Sequence, residues 1–351
     1  MLEKENIKVT LQNVNLSEPE ISAGVRVRIP EKDLPLALRI IENPEIFSDT
    51  MGMDENAAHH ILVPIDFSTY SRQAAIVAFH LAHRHNVSLK FLYSFVDPIY
   101  SKRSQLNDTL DFDPDAKHNE ATIKEFSDSE KRMNEFESEL IELIKKGDIP
   151  PVKFSHSIEE GVPEDVINQY AREHFPMLIV MGTREAGAKE RDLVGSVTAE
   201  VLDTCRFPIL TIPDNMLKVS KQCSSLNIIF FSNFDQQDIL AVDTMLKLLP
   251  YKNLNINFIK LPSKKFTGDT STALNRLRDY CKAHYAGHDF TTANIHIDSI
   301  EEEIHEIVNG NQIDLIAVPN KKKNVFARFF NPGVAHRILF HSDIPMMVIP
   351  V

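Results

Sequence analysis

Cysteine is scarce: in 351 residues the chain holds only Cys205, Cys223 and Cys281, with no C-x-x-C pair. That excludes a disulfide framework and a thiolate zinc site as the basis of the fold. Long apolar runs are missing too, and none approaches the roughly 18 residues that a membrane span needs. The opening Met1-Leu2-Glu3-Lys4-Glu5 lacks the apolar core of a signal peptide, so the chain is expected in the cytoplasm with no membrane partner. Basic residues are in deficit, 38 Lys and Arg against 50 Asp and Glu, giving a formal net charge of −12. A surface that acidic repels phosphate backbones at long range, so no nucleic-acid partner is expected, although one local anion site built from backbone amides stays compatible with it. Neither a G-x-S-x-G elbow nor a G-x-x-x-x-G-K-[S/T] loop occurs. Without the lysine of the latter the common route to fast ATP hydrolysis is missing, and no catalytic residue is assigned. His80 and His83 stand three apart on a helical pattern, but His85 is out of register and no carboxylate follows at a ligand spacing. No metal site is expected there.

What the chain does have is a repeat. Met177–Pro213 and Asp314–Pro350 align without a gap, placing Pro350 on Pro213, Leu315-Ile316 on Leu178-Ile179 and Pro345 on Pro208, at an offset of 137 residues. Ile61–Phe67 matches Ile228–Phe234 at an offset of 167, so the first copy carries about 30 extra residues. In the first copy, apolar runs at Ile61–Ile65, Ser88–Tyr93, Val152–Ser155, Leu178–Met181 and Ile209–Ile212 read as strands. Helical patterns at Thr69–His85, Asn119–Lys146, Pro163–Glu173 and Ser196–Cys205 alternate with them. In the second, strands are expected to begin near Asn227, Asn255, Asn294, Leu315 and Met346. Strands this apolar, separated by helices, form parallel sheets covered on both faces. The fold expected is α/β, as two tandem doubly wound domains, each a mainly parallel five-stranded sheet flanked by helices. With 43% hydrophobic and 25% charged residues the composition is ordinary for a globular protein, and the length suits about two domains. The boundaries expected are residues 1–57 for an extension of unknown role, 58–213 for domain 1 and 224–351 for a degenerate domain 2. Within the extension, Ile7–Leu11 and Val25–Ile29 look like strands and Leu34–Ile41 looks helical. The extra residues of copy one fall mainly between Val96 and His118, where Asp111-x-Asp113-x-Asp115 superficially suggests a calcium loop. Ala116 and Lys117 follow in place of the glycine turn, and an EF-hand does not result.

Parallel α/β sheets bind ligands at the carboxyl ends of their strands. Copy one places Asp66 after the first strand, Phe95 and Val96 after the second, and Gly182 at the end of the fourth. From Gly182 a loop leads to Gly195-Ser196, where the last helix starts with free N–H groups and a hydroxyl that suit a phosphate. The spacing alone fits equally a Ser196 that caps its helix and a Gly182 that turns the chain.

Pro64-Ile65-Asp66-Phe67-Ser68, Met181-Gly182-Thr183 and Gly195-Ser196-Val197-Thr198 together resemble the universal stress protein family. Its nucleotide-binding members carry G-x2-G-x9-G-[S/T] after the fourth strand. Gly182 and Gly195-Ser196 hold that spacing, whereas Glu185 occupies the second glycine position and Gly187 follows two residues later. The resemblance covers Ile61–Pro213 well and Asn227–Val351 more weakly, so the chain looks like a tandem member. It implies that Asp66 holds the adenine or ribose side, that the backbone near Phe95 meets adenine, and that Met181, Gly182, Gly195, Ser196 and Val197 line the ribose and phosphate path. Pro64 and Thr183 belong to the same implied site. ATP or another adenine nucleotide is the cofactor implied, with Mg²⁺ only if ATP binds. Glu185, directed at that path, would weaken triphosphate binding by charge repulsion, with Lys189 and Arg191 as nearby compensating cations.

Copy two has lost most of this pattern: Asn233 replaces Asp66, Pro319 replaces Gly182 and Pro332 replaces Gly195, leaving Gly333 and the basic run Lys321-Lys322-Lys323. Proline has no N–H for a phosphate, so any nucleotide is expected in domain 1 alone. Three readings stay open: a stress-response protein acting as a nucleotide-binding regulatory or interaction module, a slow ATPase of the same fold, and a nucleotide-free interaction scaffold. Each copy ends in an apolar strand, and the resemblance implies that such strands pair between domains. An intramolecular pseudo-dimer is expected, with a homodimer and an unidentified protein partner as further assemblies.

Overall fold

The computed structural model describes residues 8–14, 24–30, 34, 37, 60–96, 114–183, 196–213, 225–232, 237–260, 270–294, 313–320 and 344–351. In the extension, β1 (Thr10–Val14) and β2 (Gly24–Arg28) pair antiparallel in a separate two-stranded sheet, Thr10 opposite Arg28. β1 sits three residues later than the apolar pattern suggests. Leu34 and Ala37 are helical, and Ala37 is fully buried.

The first copy comprises β3 (His60–Pro64), α1 (Thr69–His85), β4 (Ser88–Phe95), α2 (Pro114–Lys146), β5 (Phe154–Glu160), α3 (Pro163–His174), β6 (Leu178–Gly182), α4 (Ser196–Thr204) and β7 (Ile209–Ile212). The second comprises β8 (Ser225–Phe231), α5 (Gln237–Leu248), β9 (Asn253–Lys260), α6 (Thr270–His284), β10 (Asp289–Asn294), β11 (Leu315–Asn320) and β12 (Met346–Pro350). Ten strands form one sheet in the order β10-β9-β8-β11-β12-β7-β6-β3-β4-β5. Each half repeats the same doubly wound order, with the first and fourth strands of that copy adjacent and every pairing inside a half parallel. β12 joins β7 antiparallel, Met347 opposite Leu210 and Val348 opposite Ile209. The two apolar final strands thus cover each other's edges within one chain.

Side-chain alternation distributes this sheet between two cores. Met347 and Ile349 of β12 join Ile61, Val63, Phe79 and Phe91 in one cluster, while Met346 and Val348 join Leu62, Ile179, Ile209 and Ile316 in the other. Both clusters draw on both copies. Polar contacts reinforce the junction: Asn320 donates to the Leu202 carbonyl at 3.2 Å and Thr211 to that of Met346 at 3.3 Å. Across the helical layer, a His85 ring nitrogen meets the Leu248 carbonyl at 3.0 Å.

Local signals explain most boundaries. Ser68 caps α1 by accepting from the Ser71 N–H, and Asn86 closes it in the left-handed region at φ 54°. α3 starts on Pro163 with Glu164 and Asp165 in its first turn, where they complement the helix dipole. Two strands depart from expectation. The third strand of copy one runs over Phe154–Glu160 rather than Val152–Ser155, because FSHSIEE is the polar sheet edge and lacks the apolar run that marks central strands. In copy two, β10 ends at Asn294 instead of beginning there; Gly287, at φ +91°, turns the chain into it five residues earlier. α2 also begins earlier than the periodicity suggests, at Pro114, so Asp115 is helical, while Asp111 and Asp113 lie outside the described residues. Cys205 and Cys281 are buried and free, and burial pushes their thiols up to about 11 and about 12; Cys223 is not among the described residues.

Candidate functional site

In a doubly wound sheet the crevice opens where the strand order reverses, beyond the carboxyl ends of the two central strands. Here those strands are β3 and β6. Asp66 stands two residues past β3, in a turn that must swing directly into α1. Phe67 makes that swing in the left-handed region, at φ 63°, which costs a residue with a Cβ about 1–2 kcal/mol. The same turn folds the chain so that Asp66 Oδ1 accepts from both the N–H and the hydroxyl of Ser68, at 3.0 and 2.5 Å. Burial on its inner side raises the Asp66 pKa, but hydrogen bonds from Ser68 and Ser71 outweigh it and hold the carboxyl below its ordinary value. Asp66 is therefore an ionised acceptor at the mouth of the crevice.

Opposite it, Gly182 ends β6 where the first turn of α1 presses on the sheet. A Cβ there would lie 2.5 Å from the Tyr70 carbonyl carbon and 2.8 Å from the Ser71 nitrogen. The glycine is demanded by this approach of backbone to backbone, a requirement that its place in the phosphate-loop spacing does not reveal. Gly182→Ala is expected to cost about 1–3 kcal/mol through overpacking. A fall in the denaturation midpoint would register it, and unchanged stability would mean that α1 moves freely. The Gly182 carbonyl accepts from Thr198 of α4 at 3.2 Å, tying the start of that helix to the end of β6.

Between these elements lies a cavity of about 210 Å³. Of the nine residues expected at the site, Pro64, Asp66, Met181, Gly182, Thr183 and Val197 line it together. Thr183 is held by its N–H to the Ile212 carbonyl at 3.0 Å. Phe95 does not reach the lining: it is 6% exposed, its ring meets Phe126 and its carbonyl accepts from the Gly161 N–H. Leu92, Tyr93 and Ser94 take its place on the wall. Ser196 opens α4 in backbone, and Gly195, Glu185, Gly187, Lys189 and Arg191 lie outside the described residues. Missed from sequence were Tyr70 and Ser71, which the close helix contact at Gly182 brings to the lining. The first turn of α4 borders the cavity through Val197 and Thr198, and first-turn N–H groups have no partner within their own helix.

A larger cleft of about 530 Å³ lies between α3 and the face of β4–β5 that carries Lys90, Ser155, Ser157 and Glu159. Three of its lining groups are engaged with the protein itself: Lys90 donates to the His156 carbonyl at 2.8 Å, and Tyr170 stacks on His174 at 4.0 Å. The switch-point cavity, smaller but set at the strand ends, is the better candidate.

Copy two treats the corresponding crevice differently. Asp238 occupies the position of Ser71 and is 1% exposed; Ser232, at the position of Ile65, donates to its Oδ2 at 2.6 Å. The carboxylate is thus consumed inside the fold. Pro319, at the position of Gly182, is the next-to-last residue of β11 and is paired with Ile349. Asn233, Pro332, Gly333 and Lys321-Lys322-Lys323 lie outside the described residues.

The universal stress protein family matches residues 58–213 and 260–350, well over half of the chain. No curated protein matches the sequence. Among solved structures, a universal stress protein from Archaeoglobus fulgidus DSM 4304 is similar over 85% of this chain and 99% of its own, with a TM-score of 0.57 and 15% identity. Universal stress protein UspA from Lactobacillus plantarum matches at 24% identity over 44% of this chain and 97% of its own, with a TM-score of 0.33. A member of the family from Burkholderia pseudomallei matches at 23% identity over 46% of this chain and 99% of its own, with a TM-score of 0.31. An α/β protein with two such domains is what fold and matches define. The chain belongs to the universal stress protein family, and no helix among its described residues is long and apolar enough to cross a membrane.

Proposed function

We propose that the first copy binds one adenine nucleotide at the β3–β6 crevice and that the protein acts in the cytoplasm as a nucleotide-responsive interaction module in a stress response. The observation that carries this reading is the placement of an ionised acceptor, Asp66, across the crevice from the amide-rich start of α4. The Asp66 carboxylate suits an adenine amine or a ribose hydroxyl, and the α4 amides suit phosphate. That donor and acceptor set fits ATP or a related nucleotide; Mg²⁺ would enter only with a bound triphosphate. Binding is favoured over turnover by the chemistry of the lining. Asp66 is its only carboxylate among the described residues, and a carboxyl held below its ordinary pKa by the hydrogen bonds of its own turn is a poor proton acceptor for an attacking water.

Extraction of small molecules from the purified full chain, followed by mass spectrometry, tests the reading. An adenine nucleotide near one equivalent per chain, with no turnover of added ATP, supports it. Sustained multiple turnover would favour the slow ATPase, and failure to retain or bind any adenine nucleotide would favour the scaffold.

A further inference from the structure

We infer that Arg132, on α2, is a positioning residue for the Asp66 turn, acting through Phe67 and Tyr93; the inference rests on the reading that Asp66 holds a nucleotide. The turn depends on keeping an aromatic residue in the left-handed region, and its neighbours explain how that is done. The Phe67 ring lies against Tyr93 at 4.8 Å and has Phe136 at its edge at 6.2 Å. The Arg132 guanidinium covers the Phe67 ring at 4.4 Å and reaches over Tyr93 at 5.6 Å. It also donates to the Tyr93 hydroxyl at 3.3 Å, so one planar group ties the turn after β3 to the cavity wall on β4.

The grip extends along one face of α2. Phe136, four residues on, is buried and lies beneath the Arg72 guanidinium at 5.5 Å, and Glu139 pairs with that same Arg72 in the first turn of α1. Residues 132, 136 and 139 share a helix face, so α2 holds the Asp66–Phe67–Ser68 turn and the start of α1 as one unit. Phe136 and Arg72 serve the core and the helix. Arg132 is different: it is solvent-exposed, lies outside the cavity lining, and its described contacts go to Phe67 and Tyr93. Its consequence for binding is therefore indirect. With the ring clamped, the Ser68 N–H and hydroxyl stay on Asp66 Oδ1 and fix where the carboxylate stands.

Amide hydrogen exchange on the full chain without ligand, with calorimetry using ATP, tests this in Arg132→Ala and Arg132→Lys. Arg132→Ala should speed exchange at the Ser68 and Ser71 amides at least tenfold while amides in β6 and the centre of α1 keep their rates. ATP affinity should fall about tenfold, and Arg132→Lys, which keeps the cation over the ring but loses the planar fork, should lie between. Unchanged exchange at Ser68 would overturn the clamp. Faster exchange throughout the domain would overturn it as well, because the residue would then support only the fold. Faster exchange at Ser68 with undiminished ATP affinity would overturn the positioning role. If the wild type binds no ATP, the nucleotide reading fails, and with it the positioning role, while the exchange comparison still decides whether the clamp exists.

Discussion

Replacing Met347 with lysine is expected to part the two halves of the sheet. Met347 is fully buried, sits opposite Leu210 in the β12–β7 junction and packs in a core that both copies share. Removing a buried methionine side chain costs about 2–5 kcal/mol, and an ammonium in its place adds the desolvation penalty of a charge set among apolar side chains. The denaturation midpoint should fall sharply and the hydrodynamic radius should grow as β7 and β12 lose their mutual cover. Ile123→Lys, at a site 67% exposed on α2, is the control and should leave both unchanged. If Met347→Lys also left both unchanged, the β12–β7 pairing would not be what holds the copies together.

Asp66→Ala is expected to weaken ATP binding by roughly ten- to a hundredfold, the equivalent of one charge-assisted hydrogen bond of about 1.5–3 kcal/mol at 1.4 kcal/mol per tenfold. The effect should be larger than that of cavity-lining changes elsewhere, because Asp66 is the lining's one described carboxylate. Asn233→Ala, the matching change in copy two, should leave the affinity as it was. Isothermal calorimetry on the two variants separates them. Equal losses in both would put the nucleotide somewhere other than the first copy.

Much of the architecture is legible in sequence because central parallel strands are uniformly apolar. LIVM at Leu178–Met181 and ILTI at Ile209–Ile212 announce themselves, and so does the repeat that sets Met346–Pro350 beside them. Where a strand is a polar edge, as at Phe154–Glu160, the periodic signal fades and the boundary slips. The site divides in the same way. Asp66 and Gly182 stand out because they end apolar runs. The reason for Gly182 is invisible, since it lies in α1, more than a hundred residues earlier, whose Tyr70 and Ser71 backbone leaves no room for a Cβ. Nor does sequence show that Phe95, last in its strand, turns to Phe126 and leaves the wall to Tyr93 and Ser94. Arg132 escapes notice for a related reason: nothing in the sequence of a 33-residue amphipathic helix shows that its one arginine lies over the Phe67 ring of the turn after β3. In copy two, Asp238 at the Ser71 position looks like an ordinary first-turn acid, and only burial at 1% exposure on Ser232 shows that its charge is turned inward.

The central claim, one nucleotide site per chain in the first copy, is tested most directly by calorimetric titration of the full chain with ATP. Saturation at one equivalent, abolished or strongly weakened in Asp66→Ala, is the result predicted. Two equivalent sites per chain, or a single site of undiminished affinity in Asp66→Ala, would contradict it.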